Sequence, residues 1–583
     1  MSEDRVIPVE QTTDMPTLKI KSEGSEISNE FHVVSVTVEK EVNRIPKAKI
    51  ILLDGDTAKE DFEISNQDHF IPGKKIEIHA GYHSDESMIF KGIVINHRIK
   101  ARKGKASYLY IDCRDESVKM TVGRKNKYYY DSTDSDIFSE ILGKYRLETD
   151  IESTEASHKE MVQYYSTDWD FIVSRAEMNG MLVTANDGKF SVKKPDTSSD
   201  PVLSLVYGSS MLDFEAEMES RDQYSTVKSN SWDYSSQEVI EEEGTDPGVT
   251  ESGNISSDDL ADVMNLEELS QRHGGKVSDM ELKAWASSRI LKSKLAKIRG
   301  RVKSQGYGDI NPGDMLELNG VGDRFNGKNF VSAVRHQINL KNWETDIQFG
   351  LSPEWFSKSQ KDIIDTPAAG LLPAVQGLQI GIVTQLEDDP DGEDRVLVKM
   401  PMISSDEDGV WARVATLDAG DSRGSFFRPE IGDEVLLGYL NEDPRFPVIL
   451  GMMNSSAKPA PITAKDSNPE KGFITRSEMK LLFDDEKKVI TVETPGGNKI
   501  VLSDDEGAVN LEDQNGNKIT MDSDGITMES AKDVAIKASG DVKIEGINSE
   551  IKANSQFKAE GAAGAEVSSS AVMTIKGSLV QIN

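Results

Sequence analysis

The chain holds a single cysteine in 583 residues, Cys113, and none of its eight histidines lies beyond His336. A lone thiol excludes an intrachain disulfide framework and suits folding in a reducing compartment. The C-terminal part also lacks the soft ligands that a structural zinc or iron site needs. Long apolar runs are missing too: no stretch approaches the ~18 residues of a membrane-spanning helix. The opening "MSEDRVIPVE" has neither a basic nor an apolar region, so neither a signal peptide nor membrane anchoring is expected. Positive charge is in deficit, with 67 Lys plus Arg against 101 Asp plus Glu. The net charge of −34 repels phosphate backbones, so nucleic acid is not an expected partner. Catalytic signatures are equally scarce. There is no Gly-x-Ser-x-Gly elbow, Walker loop, His-Glu-x-x-His pair or dinucleotide fingerprint, and paired carboxylates mean little in so acidic a chain. "EDDPDGEDRVLV" places Asp389, Asp391 and Gly392 as a calcium loop would, but Glu387 stands first and Val398 twelfth, so a polar turn is expected. The reading is a non-enzymatic protein with no catalytic residues, no resident metal and no cofactor.

The length suits three or four domains with separate cores. From about Thr17 to Cys113, strand-like runs alternate with turns: "FHVVSVTVEK", "AKIILLDG", "KKIEIHAGY", "FKGIVINHRI" and "SYLYIDC", the last holding Cys113 as a core thiol. Two helices follow with matched start and stop signals. One is capped by Thr133 with Asp136 at its third position and Gly143 past its end; the other is capped by Thr167 with Asp170 and stopped at Gly180. Strands return in "MLVTANDGKFSVKK", turning at Asn186-Asp187-Gly188, and in "STVKSNSWDYSSQEVI". Residues 241–262 are acidic and rich in Gly and Ser and read as a solvent-exposed loop. A longer helix is expected from Ser278, with Glu281 completing a capping box, through to Gly300. After the breaker-rich "DTPAAGLLPAVQG", five short strands between Leu378 and Asn454 suit a small closed barrel of the OB type.

The last part carries apolar residues as pairs spaced by two: Ile500 and Leu502, Val509 and Leu511, Ile519 and Met521, Ile526 and Met528, Val534 and Ile536, Val542 and Ile544. That spacing puts both members on one face of a strand. From Ile526 the pairs step by eight residues; after one short step the octads resume at Ile551, Ala559, Val567 and Ile575, with Phe557, Ala565 and Met573 two residues ahead of the last three. A strand with two apolar residues per repeat cannot build a core alone, so other copies of the chain are expected to complete an intertwined trimeric β-helix. Leu579, Val580 and Ile582, with Gln581 and Asn583, form an apolar end that invites a cap.

One segment has a family likeness. "SRGSFFRPEIGDEVLLGYLNEDPRFPVILGMM" resembles VgrG-type spike proteins of contractile injection systems through Gly424, Phe426, Phe427, Arg428, Pro429, Gly432, Glu434, Val435, Asp443, Pro444 and Pro447. "RVLVKMP" and "VWARV", with Arg395, Val396, Val398, Trp411 and Arg413, resemble the strands preceding it. Upstream, Asp168, Phe171, Arg175 and Gly180 resemble a helix motif of phage baseplate hubs, and Pro312, Gly313, Phe325, Gly327 and His336 resemble their late strands.

The resemblance implies a mainly β fold with a few helices. Its expected parts are a hub-like region over 1–370 with two barrel-like β domains and helical insertions, an OB-fold over 378–454, a linker over 455–472 and a trimeric β-helix spike over 473–583. It further implies a homotrimer that caps a hexameric inner tube, adapts threefold to sixfold symmetry, meets baseplate proteins and presents a tip to a PAAR-like protein or effector. Such a protein is made in the bacterial cytoplasm and ejected on contraction. The sequence does not choose among a type VI secretion apparatus, an extracellular injection particle and a phage tail. The alternative is a trimeric tail-spike or host-surface binding protein, but after Phe483 the repeat offers only Phe557 as an aromatic platform for sugars.

Overall fold

The structure is a computed structural model and describes residues 15–339 and 341–582. The segment "MSEDRVIPVE" and Asn583, on which the export and part of the tip expectations rest, lie outside the described residues. The chain forms two compact units. One runs to Gly377 and takes in Tyr439–Phe446; the other comprises Leu378–Gly438 and the residues from Pro447 onward.

Strict alternation decides the first unit. Along Val33–Glu41, Lys47–Leu53, Lys75–Tyr82 and Lys105–Arg114, every second side chain turns inward. Val36, Val38, Ile50, Leu52, Ile76, Ile78, Leu109 and Ile111 thereby meet in one core. Cys113 lies in that core as expected, and burial pushes its thiol up to about 12. Val33–Glu41 also pairs antiparallel with Gly327–Asn339, so Val36 faces Ile50 on one side and Ile338 on the other. The result is a thirteen-stranded sheet joining sequence-distant halves, with a second core around Leu205, Val302, Leu316, Val334, Ile347 and Phe349. These two cores lie along one continuous sheet.

Helices α1 (Asp134–Gly143), α2 (Asp168–Met178), α3 (Ser257–Met264) and α4 (Asp279–Leu295) pack beside the sheet strands. Thr133 and Asp136 close a reciprocal box and Thr167 accepts from the amide of Asp170, as read; Gly143 is instead the last residue of α1, and Ser278 accepts from the amide of Glu281 without the expected box, because the Glu281 carboxylate is engaged by Arg175. The hub-like motif on α2 has clear structural roles. Phe171 stacks on Tyr129, Asp168 accepts from Tyr145 Oη at 2.6 Å, and Gly180 adopts a φ of +71° that a side chain would strain. Arg175 grips the fully buried Asp134 with two hydrogen bonds of 2.8 Å and reaches Glu281 of α4 at 2.8 Å, tying three helices together. Burial alone would raise the Asp134 carboxyl, but hydrogen bonds from His158, Arg175 and Asn179 hold it well below the usual carboxylate range.

Two expectations need correction. The helix expected to reach Gly300 ends at Leu295, because Ile298–Gln305 is claimed by pairing with Asp213–Met218 and Trp343–Phe349. Long-range pairing overrides local helical preference there. The acidic loop at 241–262 includes the end of the strand Glu238–Glu243 and most of α3. Nor is it wholly exposed: Glu251 holds the buried Lys297 at 2.6 Å.

The sheet also buries charge. Lys40 is enclosed on its inner face and donates to Asp187 at 2.7 Å and Asn311 at 2.9 Å, joining the Val33–Glu41 strand to two separate turns. His336, on the neighbouring strand, is fully buried with Nδ1 3.0 Å from Thr345 Oγ1. Burial, and then the Lys40 charge, push its imidazole down to about 3.

The second unit opens with the expected closed five-stranded barrel. Gln379–Gln385 pairs with both Val396–Lys399 and Glu434–Tyr439, and Val410–Val414 runs parallel to Pro447–Met452. In the loop tested against a calcium site, Asp389 accepts from Arg395 Nε at 3.1 Å and from the amides of Asp391 and Glu393, so its carboxylate closes a turn.

His336 makes stability acid-sensitive. The imidazole stays neutral when folded and protonates freely when unfolded, so its contribution is full above pH ~6.5 and is lost as pH falls toward 3. Between pH 6.5 and 5 the first unit should lose about 2 kcal/mol through this residue. His336→Gln should flatten that limb in urea unfolding followed across pH.

Candidate functional site

From Glu470 to Glu529 the chain folds into seven antiparallel strands, each five residues long and paired with its sequence neighbours. Positive-φ glycines end the turns, at Gly497 (+91°), Gly507 (+61°) and Gly516 (+86°), and Gly525 (+124°) begins the last strand. On one side the turns are laced. Asn498 Oδ1 accepts from the Gln514 amide at 3.2 Å, and Asn517 Oδ1 accepts from Ser530 Oγ at 2.8 Å and from the Ala531 amide at 3.2 Å.

The register aligns the apolar pairs into two ladders on one face. The first runs Phe473, Leu481, Val492, Ile500, Leu511, Ile519, Met528; the second runs Phe483, Ile490, Leu502, Val509, Met521, Ile526. Among the described residues this face is left largely open: Leu502, in the middle of it, is 44% exposed. Covering a large aliphatic side chain fully is worth roughly 1.5–3 kcal/mol, so completing thirteen half-covered positions amounts to something on the order of 10 kcal/mol per chain. The opposite face carries a row in which charge alternates strand by strand: Lys480, Glu493, Lys499, Glu512, Lys518, Glu529. Alternation places opposite charges beside each other across five of the six strand pairs, with Lys480 and Glu493 3.3 Å apart.

For residues 470–529 the partner strands thus differ from expectation: hydrogen bonds run within one chain, because each hairpin turn is short enough to bring the next strand back. Beyond Glu529 the pattern changes. Among the described residues there is no further strand, and no later backbone amide donates to a backbone carbonyl. Val534, Ile536, Val542, Ile544, Ile551, Phe557, Val567, Met573 and Ile575 all face outward, Ile551 with 73% of its surface exposed. Leu579, Val580, Gln581 and Ile582 do likewise at the end.

Of the barrel motif residues, Phe427 meets the base of this repeat. Phe427 stacks on Phe473 with ring centroids 5.2 Å apart, and Arg476 donates to Glu430 at 2.7 Å. Arg428 donates to the carbonyl of Leu386 and to Asp394, Pro429 and Pro447 are buried, and Gly432 (φ +86°) donates its amide to Val383. Trp411 and Arg413 lie on the strand Val410–Val414, and Glu434 pairs with Ile382. Asp443 and Pro444 lie in the turn before Pro447; Arg445 grips the Asp443 carboxylate and holds it below its ordinary range. Sequence reasoning missed Phe473, Leu481, Phe483, Ile490, Val492 and the Lys/Glu row. The signal available was "GNKI" at Gly497 and again at Gly516, a 19-residue echo that equals two strands and two turns.

Known families match these parts in the same order. The Type VI secretion system/phage-baseplate injector OB domain matches residues 379–453, and the phage baseplate V C-terminal trimerisation domain matches 489–583. Together they define a VgrG-type spike protein. The Alg8 N-terminal domain matches residues 12–339, more than half of the sequence, and the chain belongs to that family. Among curated relatives, the type VI secretion system spike protein VgrG1b of Pseudomonas aeruginosa is 25% identical over 224 residues, covering 35% of this chain and 29% of that protein. VgrG3 of Vibrio cholerae is 30% identical over 130 residues, 20% of this chain and 12% of that one. The matched stretches therefore span less than a third of either relative's length. Among solved structures, a tail protein from Neisseria meningitidis MC58 superposes with a TM-score of 0.44 at 13% identity, covering 58% of this chain and 98% of that one.

The charge row gives a direct test. Lys499→Glu places three acidic residues side by side and should destabilise the strand sheet by roughly 1 kcal/mol, whereas Lys499→Gln should cost about half as much. Amide exchange of Lys499–Ser503 reads both.

Proposed function

We propose that three copies of the chain form the central spike of a contractile injection apparatus. The observation that carries this reading is the exposed apolar face: two ladders and a run of octads that the described residues leave largely open to solvent. Identical copies supply identical apolar faces, so a threefold arrangement closes the core and leaves the Lys/Glu rows toward water. The match to a trimerisation domain over 489–583 supports the same arrangement.

In this reading the first unit is a hub seated on a hexameric inner tube protein and bordered by baseplate proteins, adapting threefold to sixfold symmetry. The role is mechanical, not enzymatic: the spike leads the tube through a target envelope. Apolar residues at the far end of the repeat, with Leu579 81% exposed, would seat a PAAR-like tip protein or an effector carrying such a domain. The particle would assemble in the bacterial cytoplasm and leave on contraction. That no described helix is long and apolar enough to cross a membrane is compatible with this route.

Light scattering on the full chain tests the assembly: a mass near three times 64.3 kDa is expected, and a stable monomer would sink the reading. Removing residues 578–583 should abolish co-purification with the tip protein while the trimer survives. Retained tip binding would reject the proposed seat.

A further inference from the structure

We infer that the shaft assembles in two stages: Glu470–Glu529 is the nucleus on which three chains meet, and residues 531–582 fold only once it has formed. This deepens the spike reading above and rests on it.

Backbone pairing separates the two segments. In Glu470–Glu529 each strand is hydrogen-bonded to a neighbour in its own chain, so the sheet exists before any second copy arrives and offers a finished apolar face. Past Glu529 the described backbone has no such partners, and the octads cannot leave water without burying unpaired amides and carbonyls. Their partner strands must come from other copies of the chain, so ordering and association are one event for this segment.

Register points the same way. On either side of the one short step before Ile551 the octads repeat every eight residues, so within each block a slip of one whole repeat still matches apolar to apolar, and that segment alone chooses its alignment poorly. The meander has no such freedom, because its turns and the laced Asn498 and Asn517 fix every strand. Its exit also seeds the next stage. Asn517 anchors Ser530 and Ala531, and Val534 then borders a trough of about 590 Å³ along Ile500, Leu511, Ile519 and Met528. The occupant of that trough is a second copy of the same chain, which brings Val534 of each copy to the start of a shared axis.

The test compares substitutions in the full chain, reading mass by light scattering and protection by amide exchange. Leu502→Asp with Leu511→Asp should give monomers in which residues 531–582 exchange without protection, while the barrel strands stay protected. Ile551→Asp and Val567→Asp alter side chains that are exposed in one chain, so neither should unfold a monomer. Both should remain trimeric and lose protection only from the substituted residue toward the C-terminus, over a shorter stretch for Val567→Asp. Dissociation by Ile551→Asp, equal fraying in both variants, or a trimer with protected octads despite the paired nucleus substitutions would overturn the two-stage order. A monomeric unsubstituted chain would instead remove the spike reading beneath it, an outcome that the mass of the parent protein identifies before any variant is compared.

Discussion

A five-residue strand with two apolar side chains on one face can satisfy its backbone without satisfying its side chains. In Glu470–Glu529 the hairpins return quickly enough for every internal strand to find hydrogen-bond partners, yet the sheet is one layer thick and most of its apolar face is left exposed among the described residues. A layer needs a second layer. Much of the C-terminal half follows from that mismatch: the polar face with alternating charge, the small glycine turns, and the continuation into octads that lack even backbone partners.

The first unit resolves the same problem inside one chain. Its sheet is long enough, and its connections varied enough, to support two cores, while α1 and α2 share a further core with Tyr129, Val183, Phe190 and Val192. Where it buries charge, it buries complements as well. Lys40 meets Asp187 and Asn311, Arg175 meets Asp134 and Glu281, and Lys297 meets Glu251. Removing one partner from such a group is far more costly than the group's net contribution, which makes these contacts determinants of a unique arrangement. The contrast with the repeat is physical: the first unit buries its apolar faces within one chain, whereas the strands of Glu470–Glu529 leave theirs largely exposed. Between them, Phe427 on Phe473 and Arg476 on Glu430 fasten the start of the repeat to the barrel that precedes it.

Local signals were legible where the physics is local. Thr133 with Asp136, Thr167 with Asp170, and the Asp187-Gly188 turn are decided by a few neighbouring atoms, and all appear where the sequence places them. The five barrel strands were equally readable from alternation and turn residues. The end of α4 was not, since the periodic run carries on to Gly300 with no stop signal at Leu295, and Ile298–Gln305 is extended because strands 80 residues upstream and 40 downstream, roughly, border it. Nor was the pairing of Val33–Glu41 with Gly327–Asn339, which no window on the sequence connects.

The candidate site divides in the same way. Spacing by two determined which residues share a face in the repeat, because strand geometry leaves no other solution, and Ile500, Leu502, Val509 and Leu511 fall on one face as read. Composition determined the acidity and the single thiol. Which strands those faces lie beside was a tertiary decision: intrachain hairpins up to Glu529, no partner in the same chain beyond it, and an alternating Lys/Glu row visible only once the register is known. Periodicity fixes the direction in which a side chain points, but register and pairing depend on turns and on distant chain, and those are properties of the folded whole.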